Sequence, residues 1–166
     1  GALGDGGGIV TQDAAIAERC RSLRIHGRTK PYVHEQLGGN FRLDAIQAAV
    51  LRVKLPRLED WIQARQDAAY RYQTLFYEHG LMEHLTPPNV GPGRHVYNQY
   101  VIRAERRDAL KAHLGEQGIG SMVYYPGPLH LQPCFRELGY ALGDFPHAEK
   151  ACDEVLAIPI YPELPE

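Results

Sequence analysis

Val96-Tyr-Asn-Gln-Tyr-Val-Ile102 is the stretch on which the fold turns. β-Branched and aromatic residues dominate it, the composition of a strand that packs against a core. Working outward, the texture alternates. Asp108–Gln117 carries a helical pattern closed by Gly118, Ile119–Tyr125 reads as another strand, and Pro126–Pro133 reads as a loop. Helices around Cys134–Leu138 and Pro146–Leu156 follow, with a last strand at Ala157–Ile160. Strands alternating with helices predict a small α/β unit.

Upstream the signal is helical. Leu43, Ile46, Val50 and Val53 recur at steps of three and four, one face of a helix that Pro56 stops. A second helix carries Leu58, Trp61, Ile62, Ala68, Ala69, Tyr72, Leu75 and Phe76 and ends at Gly80, so the two form a long, lightly broken arm. A shorter helix, capped by Thr11 or Asp13, runs to about Ile25 and stops at Gly27. Gly6–Val10 reads as a short buried strand, and residues 28–41 as a polar loop with two aromatics, Tyr32 and Phe41.

Composition narrows the function. The chain has 166 residues, 44% hydrophobic and 23% charged, enough to pack a core rather than remain disordered. No run reaches the ~18 consecutive apolar residues of a membrane span. Lys+Arg of 18 against Asp+Glu of 20 leaves a net charge of −2, without the basic excess a nucleic-acid binder carries. Cys20, Cys134 and Cys152 lack any CxxC or His-linked spacing, so they are expected as reduced thiols in the core of a cytoplasmic protein. The eight histidines show no ligand spacing, so no metal is expected, and no GxSxG elbow points to a hydrolase. Five of the first eight residues are Gly, no Met begins the chain, and Tyr161–Glu166 has loop composition. An internal piece of a longer protein is the expectation.

Candidate chemistry lies in three places. Arg19, Arg21, Arg24, Arg28 and Lys30 crowd around His26 with no acid between them, either a solvated face or a site for phosphate or carboxylate. Gly38-Gly39-Asn40-Phe41-Arg42 leads into a helix. There Asn40 fits a cap or an amide donor, and Arg42 offers a fork to a carboxylate. Tyr124-Tyr125-Pro126-Gly127-Pro128-Leu129-His130 sets two phenols and an imidazole on a strand end and loop, a ligand wall or a packed turn.

A series of short motifs says more. In order stand Gly1-Ala-Leu-Gly-Asp-Gly-Gly7, Arg24-Ile-His-Gly27, Tyr32-Val-His34, Gly39-Asn-Phe-Arg-Leu-Asp44 with Gln47-Ala-Ala-Val-Leu51, and Asn98-Gln-Tyr-Val-Ile-Arg103. Arg107-Asp108, Gly118-Ile119, Tyr124-Tyr-Pro126, Pro128-Leu-His130 and Pro159-Ile-Tyr-Pro-Glu-Leu164 complete it. The series closely resembles the DegT/DnrJ/EryC1/StrS family of nucleotide-sugar aminotransferases, over nearly the whole chain.

The resemblance implies an α/β, fold-type I, aspartate aminotransferase-like enzyme dependent on pyridoxal 5'-phosphate. Residues 1–85 would be the end of the cofactor-binding large domain with its linking helices. Residues 86–166 would be most of the small C-terminal domain, truncated at its end. Such enzymes move an amino group, usually from glutamate, to a keto group on a nucleotide-linked sugar for polysaccharide or antibiotic biosynthesis. They work as homodimers with shared active sites, and neither a nucleic acid nor a membrane is an implied partner. In that family the Schiff-base lysine lies a few residues before the Gly-Asp-Gly-Gly loop, hence upstream of Gly1, and Lys30, Lys54, Lys111 and Lys150 do not match its motif. No catalytic residue is expected in this chain, which alone should be inactive.

By the same resemblance Asn40 matches the residue that reaches the cofactor phosphate across the dimer, with Gly4 and Gly6 shaping the loop beside the lysine. Arg42 matches the arginine near the amino donor's carboxylate. Tyr124, Tyr125 and His130 match positions near the sugar nucleotide, Tyr32 and His34 lie in a loop approaching the neighbouring site, and Arg28 and Lys30 suit a diphosphate. Two relatives of other function share the pattern: sugar dehydratases, in which histidine replaces the lysine, and non-catalytic regulatory paralogues.

Overall fold

The computed structural model describes residues 1–165, which separate into two compact units, Gly1–Leu58 and a second that begins at Glu59. In the first, helix α1 spans Ala14–Leu23. Its cap is Asp13, whose Oδ1 accepts from the amides of Ala15 at 2.8 Å and Ile16 at 3.2 Å. Strands β1 (Arg28–Lys30) and β2 (Val33–His34) pair antiparallel. Helix α2 covers Ala45–Lys54 and passes through a 3₁₀ turn at Leu55–Arg57 into α3 (Leu58–Glu78). Helix α2 thus ends ahead of Pro56, as expected, and the proline ring sits in the first turn of the 3₁₀ segment, where no amide is needed.

The β1–β2 hairpin replaces the irregular loop expected over 28–41. Pro31 and Tyr32 form its tip, and Tyr32 takes φ 63°. Proline followed by a positive-φ residue is the arrangement of a type II turn, with tyrosine where glycine is usual. The short buried strand expected at Gly6–Val10 is absent: Val10 is 99% exposed, and glycine-rich backbone pairs poorly without a neighbouring strand.

The second unit holds the core. Strands β3 (Leu85–Thr86), β4 (Tyr100–Ala104) and β5 (Val155–Ile158) form an antiparallel sheet in that order, with helix α4 (Arg107–Glu116) beside β4 and α5 (Pro146–Glu154) leading into β5. Tyr100 opposes Ile158 and Ile102 opposes Leu156, so these side chains share one face. They pack with Ala69 and Phe76 of α3, and with Tyr97. Each fully buried Leu or Ile stabilises by about 1.5–3 kcal/mol. Apart from Leu58, helix α3 belongs to this unit.

Three differences have local causes. Strand β4 begins at Tyr100, not Val96, because Tyr97 takes φ 45° and its amide turns back to His95 Nδ1 at 3.0 Å. The strand expected at Ile119–Tyr125 reduces to one bridge, Met122 with Ala157. The cysteines are not core residues: Cys20 and Cys152 are half-buried and Cys134 is exposed. No helix among the described residues is long and apolar enough to cross a membrane.

Candidate functional site

The first unit gathers four of the expected site residues around one hollow. Backbone bonds fold residues 24–41 onto the end of α1: Gly39 N donates to Leu23 O, His26 N to Gly39 O, Phe41 N to Arg24 O and Glu35 N to Gly27 O, all at 2.9–3.0 Å. Two glycines allow this closeness. Gly27 has φ +67°, and a Cβ on it would overlap the Gln36 carbonyl; a Cβ on Gly38 would press on Leu23 O and the Gly27 amide.

The result is a hollow of about 310 Å³ lined by Ile25, His26, Arg28, Tyr32, His34 and Arg42. His34 is oriented by its Nδ1, which donates to His26 O at 2.9 Å, fixing the proton there and leaving Nε2 as an acceptor while the ring is neutral. Arg42 Nε donates to Asn40 Oδ1 at 2.9 Å. That bond fixes both side chains, leaving the terminal N–H groups of Arg42 and the N–H pair of Asn40 as donors. Two guanidiniums in one recess suit an anion with several oxygens. Lys30 is exposed on β1 and does not line the hollow.

Gly4 and Gly6 lie in a loop held on α2. Gln47 Oε1 accepts from Gly4 N at 3.1 Å, and Gln47 Nε2 donates to Asp5 O at 3.4 Å. The Gly4 amide is thus committed, and a Cβ at Gly6 would press on Leu43. Both glycines stand where a side chain would meet a neighbour, Gln47 at Gly4 and Leu43 at Gly6.

The second unit carries the remaining candidates. Tyr124 lines a cavity of about 370 Å³ with Asn98, Gln99, Ser121, Met122 and Ile160. The two amides and the hydroxyl are polar groups suited to a sugar; the sequence reading quoted Asn98 and Gln99 in a motif without giving them a site role. The signal was there in Asn98-Gln99, polar residues abutting a strand that buries its next side chain. Tyr125 is exposed, its ring edge-on to Tyr124 at 5.5 Å. His130 is elsewhere: its side chain is 8% exposed and its Nε2 meets Glu149 Oε1 at 3.0 Å.

Two perturbed groups bear on these surroundings. For Glu149 burial works against the charge, but the amides of Gly143 and Phe145 and the His130 ring prevail and hold its carboxyl below the usual range. Tyr100 is pushed the other way, above the ordinary phenol value, by burial and then by Tyr97 and Tyr72.

Residues 2–166 match the DegT/DnrJ/EryC1/StrS aminotransferase family model. The chain belongs to this family. Among similar curated proteins, a pleiotropic regulatory protein of Geobacillus stearothermophilus is 51% identical over the whole chain and 45% of its own length. The erythromycin biosynthesis sensory transduction protein EryC1 of Saccharopolyspora erythraea is 46% identical, over 99% of this chain and 44% of its own. The dTDP-3-amino-3,4,6-trideoxy-alpha-D-glucose transaminase of Streptomyces venezuelae is 41% identical over 99% of this chain and 43% of its own. The solved structure of S. venezuelae DesV superposes with a TM-score of 0.93 at 38% identity, covering all of this chain and 44% of that one. The chain thus has the fold of the C-terminal part of a DegT/DnrJ/EryC1/StrS aminotransferase, and spans under half the length of the curated relatives it matches.

Proposed function

We propose that the protein carrying this chain is a pyridoxal phosphate-dependent aminotransferase that aminates a keto group on a nucleotide-linked sugar, with glutamate as amino donor. The observation that carries the reading is the hollow in which Arg28 and Arg42 stand together with His26, His34 and Tyr32. Several relatives are named for dTDP- or UDP-sugars modified at position 3, so a nucleotide 3-keto sugar is the substrate to test.

The residues present fit the cofactor. Asn40, its oxygen held by Arg42, offers two N–H donors to a phosphate, and the Gly4–Gly6 loop, its Gly4 amide committed to Gln47, supplies shape. When bound, pyridoxal phosphate supplies the electron sink for proton transfer at the amine carbon. The chain's own residues do the positioning. Arg42 docks the donor's carboxylate and Arg28, with Lys30 nearby on β1, neutralises a diphosphate. Tyr32 and His34 present the hairpin tip to a neighbouring site in a homodimer, and Tyr124, Tyr125 and His130 hold the sugar nucleotide. Positioning of this kind contributes several kcal/mol to a rate. A cytoplasmic location follows from soluble nucleotide-sugar substrates.

The assay is 2-oxoglutarate release from glutamate with a dTDP- or UDP-3-keto sugar, using the protein that carries this chain. Release is expected, and its absence would refute the enzyme. In Arg42→Ala the lost charged bond, about 1.5–3 kcal/mol, predicts a rise of tenfold or more in the glutamate KM, with the sugar KM less affected. The relatives of 51% and 46% identity carry regulatory names, which favours a second reading as a regulator. That reading expects nucleotide-sugar binding without 2-oxoglutarate release.

A further inference from the structure

Glu149, in the first turn of α5, gathers more hydrogen bonds than a solvent-facing glutamate needs. Its Oε1 accepts from Gly143 N at 2.8 Å and Phe145 N at 3.4 Å, and its Oε2 from Gly143 N at 3.0 Å. On the other side its Oε1 meets His130 Nε2 at 3.0 Å. The carboxylate is 16% exposed and the imidazole 8%. The loop it collects is compact: Ala141 N donates to Asp144 Oδ2 at 2.8 Å, and Phe145 lies between the rings of Tyr140 and His130, at 5.0 and 4.8 Å. His130, in the 3₁₀ turn Leu129–Leu131, therefore ties Pro126–Leu131 to the loop ahead of α5.

A carboxylate only accepts, so His130 must donate from Nε2. That selects one tautomer and leaves Nδ1, when the ring is neutral, as an acceptor. A carboxylate that fixes an imidazole's proton and orientation is a recurrent way of making the far nitrogen specific. A simple loop cap would need the Gly143 and Phe145 amides but not the histidine. We propose that Glu149 is a positioning residue for nucleotide-sugar recognition: through His130 it fixes Pro126–Leu131, the segment that follows Tyr124 and Tyr125, and presents Nδ1 as an acceptor for a hydroxyl or N–H of the sugar nucleotide. The inference rests on the aminotransferase reading, in which Tyr124, Tyr125 and His130 face that substrate.

The experiment uses the full-length protein that carries this chain, with dTDP-glucose and UDP-N-acetylglucosamine as binding probes and 2-oxoglutarate release as the kinetic readout. Glu149→Ala is expected to weaken binding of the preferred probe, and to raise the sugar KM, tenfold or more. The glutamate KM should stay within twofold. His130→Ala should do the same, and the double variant should be no worse than His130→Ala alone, because the two residues act as one unit. Glu149→Gln keeps acceptors for the loop amides and covers the case in which Glu149→Ala does not fold; its sugar KM should rise three- to tenfold. Additive losses in the double variant, or a sugar KM within twofold of wild type in Glu149→Gln, would overturn the proposal. Wild-type protein that binds neither probe and releases no 2-oxoglutarate would overturn the aminotransferase reading, and the proposal with it.

Discussion

Tyr72 and Tyr100 are neighbours whose hydroxyls should respond to removal with opposite signs. Their rings lie 5.1 Å apart. Tyr72 Oη donates to Pro159 O at 3.0 Å, whereas Tyr100 is 0% exposed and its Oη has no partner among the described residues. Deleting the first hydroxyl removes a hydrogen bond of about 0.5–1.5 kcal/mol net. Deleting the second removes a polar group whose unpaired burial costs about 1–3 kcal/mol. Tyr72→Phe should thus destabilise by about 1 kcal/mol and Tyr100→Phe stabilise by a similar amount. Urea unfolding of the two variants and wild type, followed by circular dichroism, reads the difference as opposite shifts in midpoint at constant slope. The same pair serves as its own control, since both changes delete one oxygen from the same aromatic cluster. If Tyr100→Phe is as destabilising as Tyr72→Phe, the Tyr100 hydroxyl is satisfied and the reasoning fails.

Other consequences follow from the same contacts. Leu156→Ala empties a site that is 0% exposed at the centre of the sheet and should cost about 2–5 kcal/mol in the same urea assay. Glu149 has its carboxyl lowered in the folded state, so its contribution is present above the ordinary value of 4.5 and is lost as pH falls through the lower folded value. Melting temperature plotted against pH should therefore drop on the acid side, and less steeply in Glu149→Gln. Gly27→Ala forces a side chain onto the Gln36 carbonyl at φ +67° and should open the 26–41 segment to limited proteolysis, leaving the second unit intact.

The parts legible in the sequence were those set by one element at a time. Tyr100, Ile102 and Ala104 alternate inward as a half-buried strand must, and the three-and-four spacing marks the helical arm. What depends on two distant segments was hidden. Nothing local in Ile119–Tyr125 tells that only Met122 finds a partner, because that partner is Ala157. The hairpin was masked by Tyr32, which occupies the positive-φ corner where glycine would have announced a turn. For the site, the motif series named Tyr32, His34 and Arg42 and the run of cations added Arg28, but the backbone bonds from Leu23 to Gly39 that bring them to one hollow are not a property of those residues. Glu149 reads as any helix-start glutamate until the fold sets His130 against it.

The two units should also differ in how tightly they hold their backbone. Gly27 is the one buried residue of Gly1–Leu58 among those described, while Val10 and Leu37 are 99% and 100% exposed. The hairpin is then held by backbone hydrogen bonds of about 0.5–1.5 kcal/mol net each, against an ordering cost of about 1–2 kcal/mol per residue. No buried apolar side chain makes up the difference. Strand β4 instead buries its Tyr100 and Ile102 against Phe76 and Leu156, so its amides open only with the core of its unit. Hydrogen exchange on the 166-residue chain should show residues 26–41 exchanging orders of magnitude faster than Tyr100–Ala104. If the hairpin is as protected as β4, its order has a source other than core burial, and the contrast drawn between the two units fails.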